Sequence, residues 1–193
     1  ELRQALASKN EELLTTQMSQ VSLQQDGKKT LSVNSVTVGK WQELPDLPTD
    51  MHYGSSAVIG ENAYFKSYNG NTIYQFSKNQ WNKLPSCPYK YCAIVNIDNI
   101  LTTVGGMTRS HKNKLFTHIE NKWSHQFPPM PTKRSNPAAV YVNNTLVVAG
   151  GDNAEPLSTV EILNTVTRQW SCVSSLPKRI SFLSATICGE YVY

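Results

Sequence analysis

The chain has 193 residues, with 18 Lys and Arg against 14 Asp and Glu, which gives a formal net charge of +4. Only 17% of the residues are charged, and this fraction excludes a highly charged disordered tail and a strongly basic protein that wraps nucleic acid. Hydrophobic residues make up 39% of the chain, but no apolar run approaches the roughly 20 residues of a membrane-spanning helix. The sequence therefore predicts a globular module, with neither nucleic acid nor a membrane among its partners.

The N-terminal segment, residues 1–25, predicts a helix because it lacks Gly and Pro and is rich in Leu, Glu, Lys and Gln. Leu2, Leu6 and Leu13 fit a diluted heptad pattern. This helix is therefore expected either to end a coiled coil that makes a homo-oligomer or to be a solvated linker. Residues 26–30 predict a connector. The chain starts at Glu1 and carries no leader sequence, which favours a piece of a longer protein.

Internal repetition begins after residue 30, where short runs rich in Val, Ile, Thr and Tyr are separated by Asn, Gly and Pro. The only four tryptophans recur at intervals of 40, 42 and 47 residues, and each begins a segment that ends in Pro: Trp41, Trp81, Trp123 and Trp170. A large apolar residue stands seven positions before three of them, at Tyr74, Phe116 and Leu163. Two glycine doublets lie 45 residues apart, at Gly105-Gly106 and Gly150-Gly151. A fixed period of this length indicates a repeat architecture.

One repeat, residues 138–173, predicts four antiparallel strands at 138–142, 146–149, 160–163 and 169–173, with a turn at Asn143-Asn144 between the first two. Four such strands in roughly 45 residues form one blade of a β-propeller. The first full repeat lacks a glycine doublet. Ser67-Tyr68-Asn69-Gly70 takes its place, and we expect a distorted loop there.

The doublets, the apolar residue seven positions before Trp and the Leu-Pro or Met-Pro after Trp resemble kelch repeats. The resemblance covers residues 31–193 and implies an all-β fold, the kelch-type β-propeller. The repeats lie at about 53–88, 91–131 and 136–177, with an incomplete one at 182–193. This amounts to about three full four-stranded blades plus partial blades of a six-bladed ring. Residues 31–41 would supply a closing strand, and residues 1–25 a short N-terminal α-helix.

The resemblance also implies a ligand face, built from the loops after the doublets and the loops that join successive blades. By position, the candidate partner-binding residues are Tyr68, Asn69, Lys90, Tyr91, Arg109, Lys133, Arg134, Ser135, Asp152, Asn153, Lys178 and Arg179. Lys or Arg recurs shortly after the Pro that ends each blade, and cations gathered on one rim would bind carboxylate groups. An acidic peptide is the predicted ligand, with ordinary solvated loop charge as the alternative.

Catalysis finds little support in the sequence. The resemblance extends to galactose oxidase, whose copper site needs paired Tyr and His ligands, but the four histidines here stand in dissimilar contexts. We therefore expect no enzymatic activity, no metal and no cofactor. The four cysteines form no C-x-x-C pair and are expected to be reduced and mostly buried, which favours a cytoplasmic location.

The predicted function is a non-catalytic protein-interaction module that acts as a scaffold or adaptor, with actin among the partners that the resemblance implies. The alternative is the substrate-recognition subunit of a cullin-dependent ubiquitin ligase, as in kelch proteins that carry a BTB domain. A BTB domain upstream would favour the ligase, and a long heptad array would favour the scaffold.

Overall fold

Short antiparallel strands make up the regular structure of the chain from Gly54 onward. The computed structural model describes residues 43–51, 53–107, 113–188 and 191–193. The predicted helix at 1–25, the connector at 26–30, the closing strand at 31–41 and Trp41 lie outside these residues. No helix in the described part of the chain has the length and apolar character needed to span a membrane.

Three four-stranded antiparallel sheets follow one another along the chain, and we call them blades 1, 2 and 3. Blade 1 contains β1 Gly54–Ile59, β2 Asn62–Ser67, β3 Ile73–Ser77 and β4 Gln80–Lys83. Blade 2 contains β5 Ala93–Ile97, β6 Ile100–Val104, β7 Leu115–Ile119 and β8 Lys122–Ser124. Blade 3 contains β9 Ala138–Val142 and β10 Thr145–Ala149, then a small hairpin of β11 Asp152–Asn153 and β12 Glu155–Pro156, then β13 Val160–Asn164 and β14 Gln169–Val173. A further pair, β15 Ile187–Cys188 and β16 Tyr191–Val192, begins a fourth sheet.

Asparagine occupies four of the hairpin turns. Four two-residue turns have positive φ at both positions, and the second residue is in each case Asn: Asn79, Asn99, Asn121 and Asn144. A turn of this kind matches the right-handed twist of the paired strands, and Asn tolerates the left-handed backbone conformation better than other side chains do. The predicted Asn143-Asn144 turn is confirmed, as are the four strands expected in this repeat, to within one residue.

The repeated tryptophans tie each blade to the segment that precedes it. Every described Trp indole nitrogen donates a hydrogen bond to a proline carbonyl about 40 residues earlier: Trp81 to Pro45 (2.7 Å), Trp123 to Pro85 (3.0 Å) and Trp170 to Pro128 (3.0 Å). Trp123 and Trp170 also pack against the two buried hydrophobic clusters, one between blades 1 and 2 and one between blades 2 and 3. The recurrence of Trp along the chain therefore reflects contacts between each blade and the segment that precedes it.

The spacing of seven residues before Trp is not structurally equivalent in all three blades. Leu163 pairs directly with Trp170, whereas Trp81 and Trp123 pair with Phe76 and His118, only five residues earlier. The turn between the last two strands has four residues in blade 3 and two in the other blades, which shifts the alignment by two. Buried Tyr74 and Phe116 therefore match each other, as expected, but their equivalent in blade 3 is Glu161.

The glycine doublets pass very close to neighbouring backbone. All four glycines have positive φ, and a Cβ placed on Gly151 would lie 2.5 Å from the Ser135 carbonyl oxygen. Blade 1 departs from this pattern as predicted, since its strand register places Ser67 and Tyr68 where blades 2 and 3 have the doublet. Neither of these residues has positive φ. The loop that begins at Ser67 therefore takes its own path.

The cysteines divide into two pairs. Cys87 and Cys92 are buried, as expected, but Cys172 and Cys188 are exposed, so the expectation of mostly buried thiols is only half correct. Cys172 lies on β14, the outermost strand of blade 3, where one face of the strand has no covering layer among the described residues.

Candidate functional site

The first strands of the blades converge on a central cavity. Strands β1, β5 and β9 and the segment 183–187 line two connected stretches of it, with volumes of about 220 and 450 Å³. The lining is mostly small, with Ser or Ala from each strand and from the segment 183–187, because four segments of the chain approach one another there. The smaller stretch, lined by Gly54, Tyr68 and Pro137, lies at the end of the strands where the blade-to-blade loops arrive.

At this end of the cavity, one residue per repeat takes the left-handed backbone conformation shortly before the first strand. These equivalent residues are Tyr53 (φ 49°), Tyr91 (φ 56°), Asn136 (φ 50°) and Phe182 (φ 56°). Backbone hydrogen bonds link three of them from blade to blade, with the Asn136 backbone amide donating to the Tyr91 carbonyl at 2.7 Å and the Phe182 backbone amide to the Asn136 carbonyl at 3.3 Å. The Tyr53 carbonyl accepts from the Tyr68 amide of its own blade at 2.8 Å. The positions form an arc around the cavity.

Aromatic side chains gather on this arc, and we call Tyr53, Tyr68 and Phe182 the aromatic mouth. The Phe182 ring lies 6.5 Å from the ring of Tyr53 and 6.0 Å, edge-on, from the ring of Tyr68. Tyr68 is buried, and burial raises the pKa of its phenol, which therefore stays neutral. Tyr53 and Phe182 remain 79% and 57% exposed. The mouth is thus an apolar, solvent-facing surface on a rigid base.

The loop after the blade 3 doublet carries an anchored carboxylate. The Asp152 carboxylate accepts hydrogen bonds from the Ser135 hydroxyl at 2.9 Å and from the side-chain amide nitrogen of Asn136 at 2.8 Å. Ser135 is fully buried, and its backbone pairs with that of Asp152 in both directions. Two of the predicted site residues, Ser135 and Asp152, therefore meet, but they bond to each other, and Asn153 beside them is exposed.

Arg134 is not part of a basic rim, which corrects the sequence-based prediction. Its side chain is fully buried and forms an ion pair with Glu161 at 3.0 Å. The guanidinium also donates to the Gly150 carbonyl at 2.7 Å and to the Thr159 carbonyl at 3.1 Å. Burial lowers the pKa of Arg134 and the Glu161 charge opposes that shift. The buried carboxylate and carbonyls draw the arginine inward, and this could not be read from its loop position.

Most of the other predicted cations lie on the surface of the described part of the chain. Four basic side chains in the blade-to-blade loops are exposed: Lys90, Lys133, Lys178 and Arg179. Asn69 is exposed as well, and Tyr91 is half-buried, while Arg109 lies outside the described residues. Among the residues that the structure describes, no cluster of three His, Cys, Asp or Glu side chains could hold a metal ion.

Neither Asn136 nor Phe182 was singled out in the sequence analysis. Asn136 lies one repeat after Tyr91, at an interval of 45 residues, and Phe182 lies one repeat after Asn136, at an interval of 46, so a strict use of the period would have found both. The positive φ shared by all four positions is visible only in the structure.

Comparison with known proteins agrees with this architecture. The kelch motif family matches residues 133–177. An F-box/kelch-repeat protein of Arabidopsis thaliana is 29% identical over 149 residues, which cover 72% of this chain and 31% of the relative. A solved structure titled "Structure of YjhT" superposes with a TM-score of 0.58 at 16% identity, covering 69% of this chain and 53% of the other. The chain thus spans about a third of the first relative and about half of the second.

The four-stranded blades, the central cavity and the repeated Trp and Gly-Gly positions define a β-propeller. The motif match and the relative support a kelch-repeat protein, and the solved structure supports the propeller fold. The kelch propeller is commonly a protein-interaction module, which agrees with a site made of exposed loops.

Proposed function

We propose that this chain is a non-catalytic adaptor or scaffold that binds a peptide segment of a protein partner at the aromatic mouth. The observation that carries the proposal is the exposure of Tyr53 and Phe182 on an arc whose backbone is fixed by hydrogen bonds within and between blades. Aromatic side chains held in place provide a large apolar contact area at low entropic cost, and such residues dominate binding energy at protein interfaces.

The charge around the mouth favours an acidic segment. Lys90, Lys133, Lys178 and Arg179 are exposed in the loops that lead into three successive first strands, and Asp152 already has two hydrogen-bond donors from its own blade. Exposed cations steer and orient an acidic partner more than they add affinity, because water and salt screen them. The apolar contact is therefore expected to supply most of the binding energy, and the cations most of the selectivity.

A random-peptide library displayed on phage tests the proposal with a defined probe. Peptides selected on the full chain are synthesised, and their dissociation constants are measured by fluorescence polarisation. The Tyr53→Ser/Phe182→Ser variant is expected to bind at least about tenfold more weakly, because it removes two exposed aromatic anchors. Lys133→Glu/Arg179→Glu is expected to weaken binding of acidic peptides selectively and to reduce its salt dependence.

Val166→Ser is the matched control, because Val166 is 71% exposed but lies in the turn at the opposite end of the blade 3 strands. Selected peptides that bind all of these variants with equal affinity would show that the mouth is not the binding surface. Peptides without acidic residues would leave the mouth in place and reject the acidic ligand.

A second candidate function is substrate recognition in a cullin-dependent ubiquitin ligase. The observation that favours it is the relative named as an F-box/kelch-repeat protein, although the chain covers only 31% of that protein. In such a ligase, an F-box would replace the BTB domain that the sequence analysis named as the upstream domain. Co-purification of the full-length natural protein with a cullin tests this candidate, and actin cosedimentation tests actin as the scaffold's partner. Light scattering of the purified chain tests homo-oligomerisation through residues 1–25.

A further inference from the structure

A buried cluster of one amine and two thiols lies between blades 1 and 2. Lys66 and Cys92 are completely buried, and Cys87 is 1% exposed. Both cysteines belong to the hydrophobic cluster that joins the two blades. The proposed partner-binding function does not use these three side chains.

The internal repeat shows that all three residues are departures from an apolar pattern. Strand register makes Lys66 equivalent to Val104 and Cys92 equivalent to Pro137. The Cys87 and Met130 amides each donate to an asparagine carbonyl at the matching place in their blades, Asn71 and Asn113 respectively, both at 2.8 Å. The next junction therefore has Val, Met and Pro where this one has Lys, Cys and Cys. Three polar or reactive replacements meet at a single junction.

The Lys66 ammonium is held by two backbone carbonyls. Its Nζ donates to the Ser67 and Gly70 carbonyl oxygens, each at 2.9 Å, and its charge acts to lower the pKa of both thiols. No carboxylate among the described residues forms an ion pair with Lys66. Since a buried ammonium requires a nearby negative charge, the thiol pair is the group that can provide it.

The two sulfurs lie close to one another. Both donate to the same acceptor, the Tyr89 carbonyl oxygen, at 3.1 Å from Cys87 and 3.3 Å from Cys92. A hydrogen bond from Cys92 and, after it, the Lys66 charge lower the pKa of Cys87 to about 7, while burial raises that of Cys92. Loss of the Cys87 proton, which gives up the hydrogen bond to Tyr89, leaves a negative charge on sulfur that balances Lys66.

We propose that Cys87 and Cys92, held by Lys66, form a redox-active dithiol that a small hydroperoxide oxidises to a disulfide. Both sulfurs lie within 3.3 Å of one carbonyl oxygen, and formation of the bond brings them to about 2 Å from each other. The six-residue segment from Cys87 to Cys92 folds around the Tyr89 carbonyl, which keeps both sulfurs on one side of the chain.

The reaction balances within the cluster. The Cys87 thiolate attacks one peroxide oxygen, the O–O bond breaks, and hydroxide leaves and takes a proton from Lys66 to become water. Cys92 then attacks the sulfenic sulfur of Cys87. The S–O bond breaks, and the departing hydroxide leaves as water with the Cys92 proton. One hydrogen peroxide becomes two waters, two electrons leave the thiols, and a neutral Lys66 amine remains beside the disulfide. The cluster has no net charge before or after the reaction.

Mass spectrometry of the full chain tests this assignment. The folded protein is treated with graded hydrogen peroxide at pH 7, free thiols are alkylated, and the protein is digested with trypsin. Cleavage after Lys90 separates the two cysteines, so the disulfide appears as a link between peptides 84–90 and 91–109. A Cys172→Ser/Cys188→Ser background removes the exposed thiols, and circular dichroism checks that the oxidised chain stays folded. The expected result is a linked pair that dithiothreitol separates.

Lys66→Val is the matched variant, because Val104 shows that an apolar side chain fits this position in the next blade. It is expected to slow formation of the link at least about tenfold at pH 7, since the thiolate loses its stabilising charge. Equal rates in this variant would overturn the role of Lys66. In the natural chain, reduced Cys87 and Cys92 beside fully oxidised Cys172 and Cys188 would show inert buried thiols and overturn the proposal.

Cys92→Ser keeps the test decisive should Lys66→Val fail to fold. It leaves Cys87 without its resolving thiol, so peroxide treatment is expected to leave a sulfenic acid on Cys87 that dimedone traps. A folded Cys92→Ser chain in which dimedone labels nothing at Cys87 would contradict the proposed chemistry.

Discussion

At the scale of single residues, the contact between the segment that enters a blade and the third strand of that blade is made by different residue pairs in blades 2 and 3. In blade 3 it is the buried ion pair of Arg134 and Glu161. The equivalent positions in blade 2 are Tyr89 and Phe116, whose rings meet edge to face with centroids 4.9 Å apart. Both pairs join the segment that enters a blade to the third strand of that blade. A charge pair and an aromatic pair therefore serve the same structural role.

This equivalence predicts the outcome of exchanging the pair. Glu161→Phe alone is expected to cost roughly 3–5 kcal/mol of unfolding free energy, because it leaves the Arg134 charge buried without its partner. The double variant Arg134→Tyr/Glu161→Phe reproduces the blade 2 pair and is expected to recover most of that loss. Urea unfolding followed by Trp fluorescence measures both. Lys133→Tyr is the control, since Lys133 is exposed and should change stability by less than about 0.5 kcal/mol. Additive losses in the double variant would contradict the equivalence.

At the scale of elements, the loop between the second and third strands depends on whether glycine is present. In blades 2 and 3 the doublet lets the chain pass against the incoming segment, with the Gly151 amide donating to the Ile180 carbonyl at 2.9 Å. Blade 1 has Ser67 and Tyr68 instead, and the Tyr68 side chain enters the mouth. Loss of the doublet therefore reshapes the loop and adds an aromatic ring to the binding surface.

Substitution of two glycines by alanine distinguishes the cost of a positive φ from the cost of a steric clash between the new Cβ and neighbouring backbone. Gly60→Ala is expected to cost roughly 1–2 kcal/mol, because φ is +57° but nothing lies within 4 Å of the new Cβ. Gly151→Ala is expected to cost clearly more, because φ is +88° and the Cβ would meet the Ser135 carbonyl oxygen at 2.5 Å. Thermal unfolding compares the two. A Gly151→Ala chain as stable as the Gly60→Ala chain would show that the segment around Ser135 gives way freely.

At the scale of the whole molecule, neighbouring blades are joined by buried apolar contacts and by hydrogen bonds from Trp. Each buried hydrophobic cluster is shared by two blades, and each described Trp reaches back to a proline carbonyl that precedes its own blade. In repeat proteins of this kind, stability depends on the contacts between units as well as on each unit. The Trp positions are therefore expected to couple the blades.

Trp123→Phe tests this coupling. It keeps an aromatic ring against the cluster between blades 1 and 2 but removes the hydrogen bond to Pro85, at an expected cost of about 0.5–1.5 kcal/mol. Hydrogen exchange should become faster in the strands of blade 1 as well as blade 2. Val166→Ala serves as the reference, because this exposed side chain lies in a turn. Faster exchange confined to blade 2 would show that the blades are independent.

Much of the fold could be predicted because it depends on residues close in sequence. The Asn turns, the alternating strands and the period of Trp and Gly-Gly are local or repeated patterns, and the observed strands of residues 138–173 follow them to within one residue. The seven-residue spacing before Trp does not mark the same structural position in every blade, because a turn with two extra residues in blade 3 changes the register without disturbing the sequence pattern.

The sequence by itself determined the repeat, the all-β class and the loops that carry the candidate site, because each of these follows from the order of residues within one unit. Only the tertiary structure decided which loop residues a partner could reach. Arg134 and Lys90 stand in similar loops, yet the first is buried and the second exposed. Lys66, Cys87 and Cys92 likewise meet only when two blades pack. Burial and pairing depend on what the neighbouring blade presents, and that neighbour lies far away in sequence.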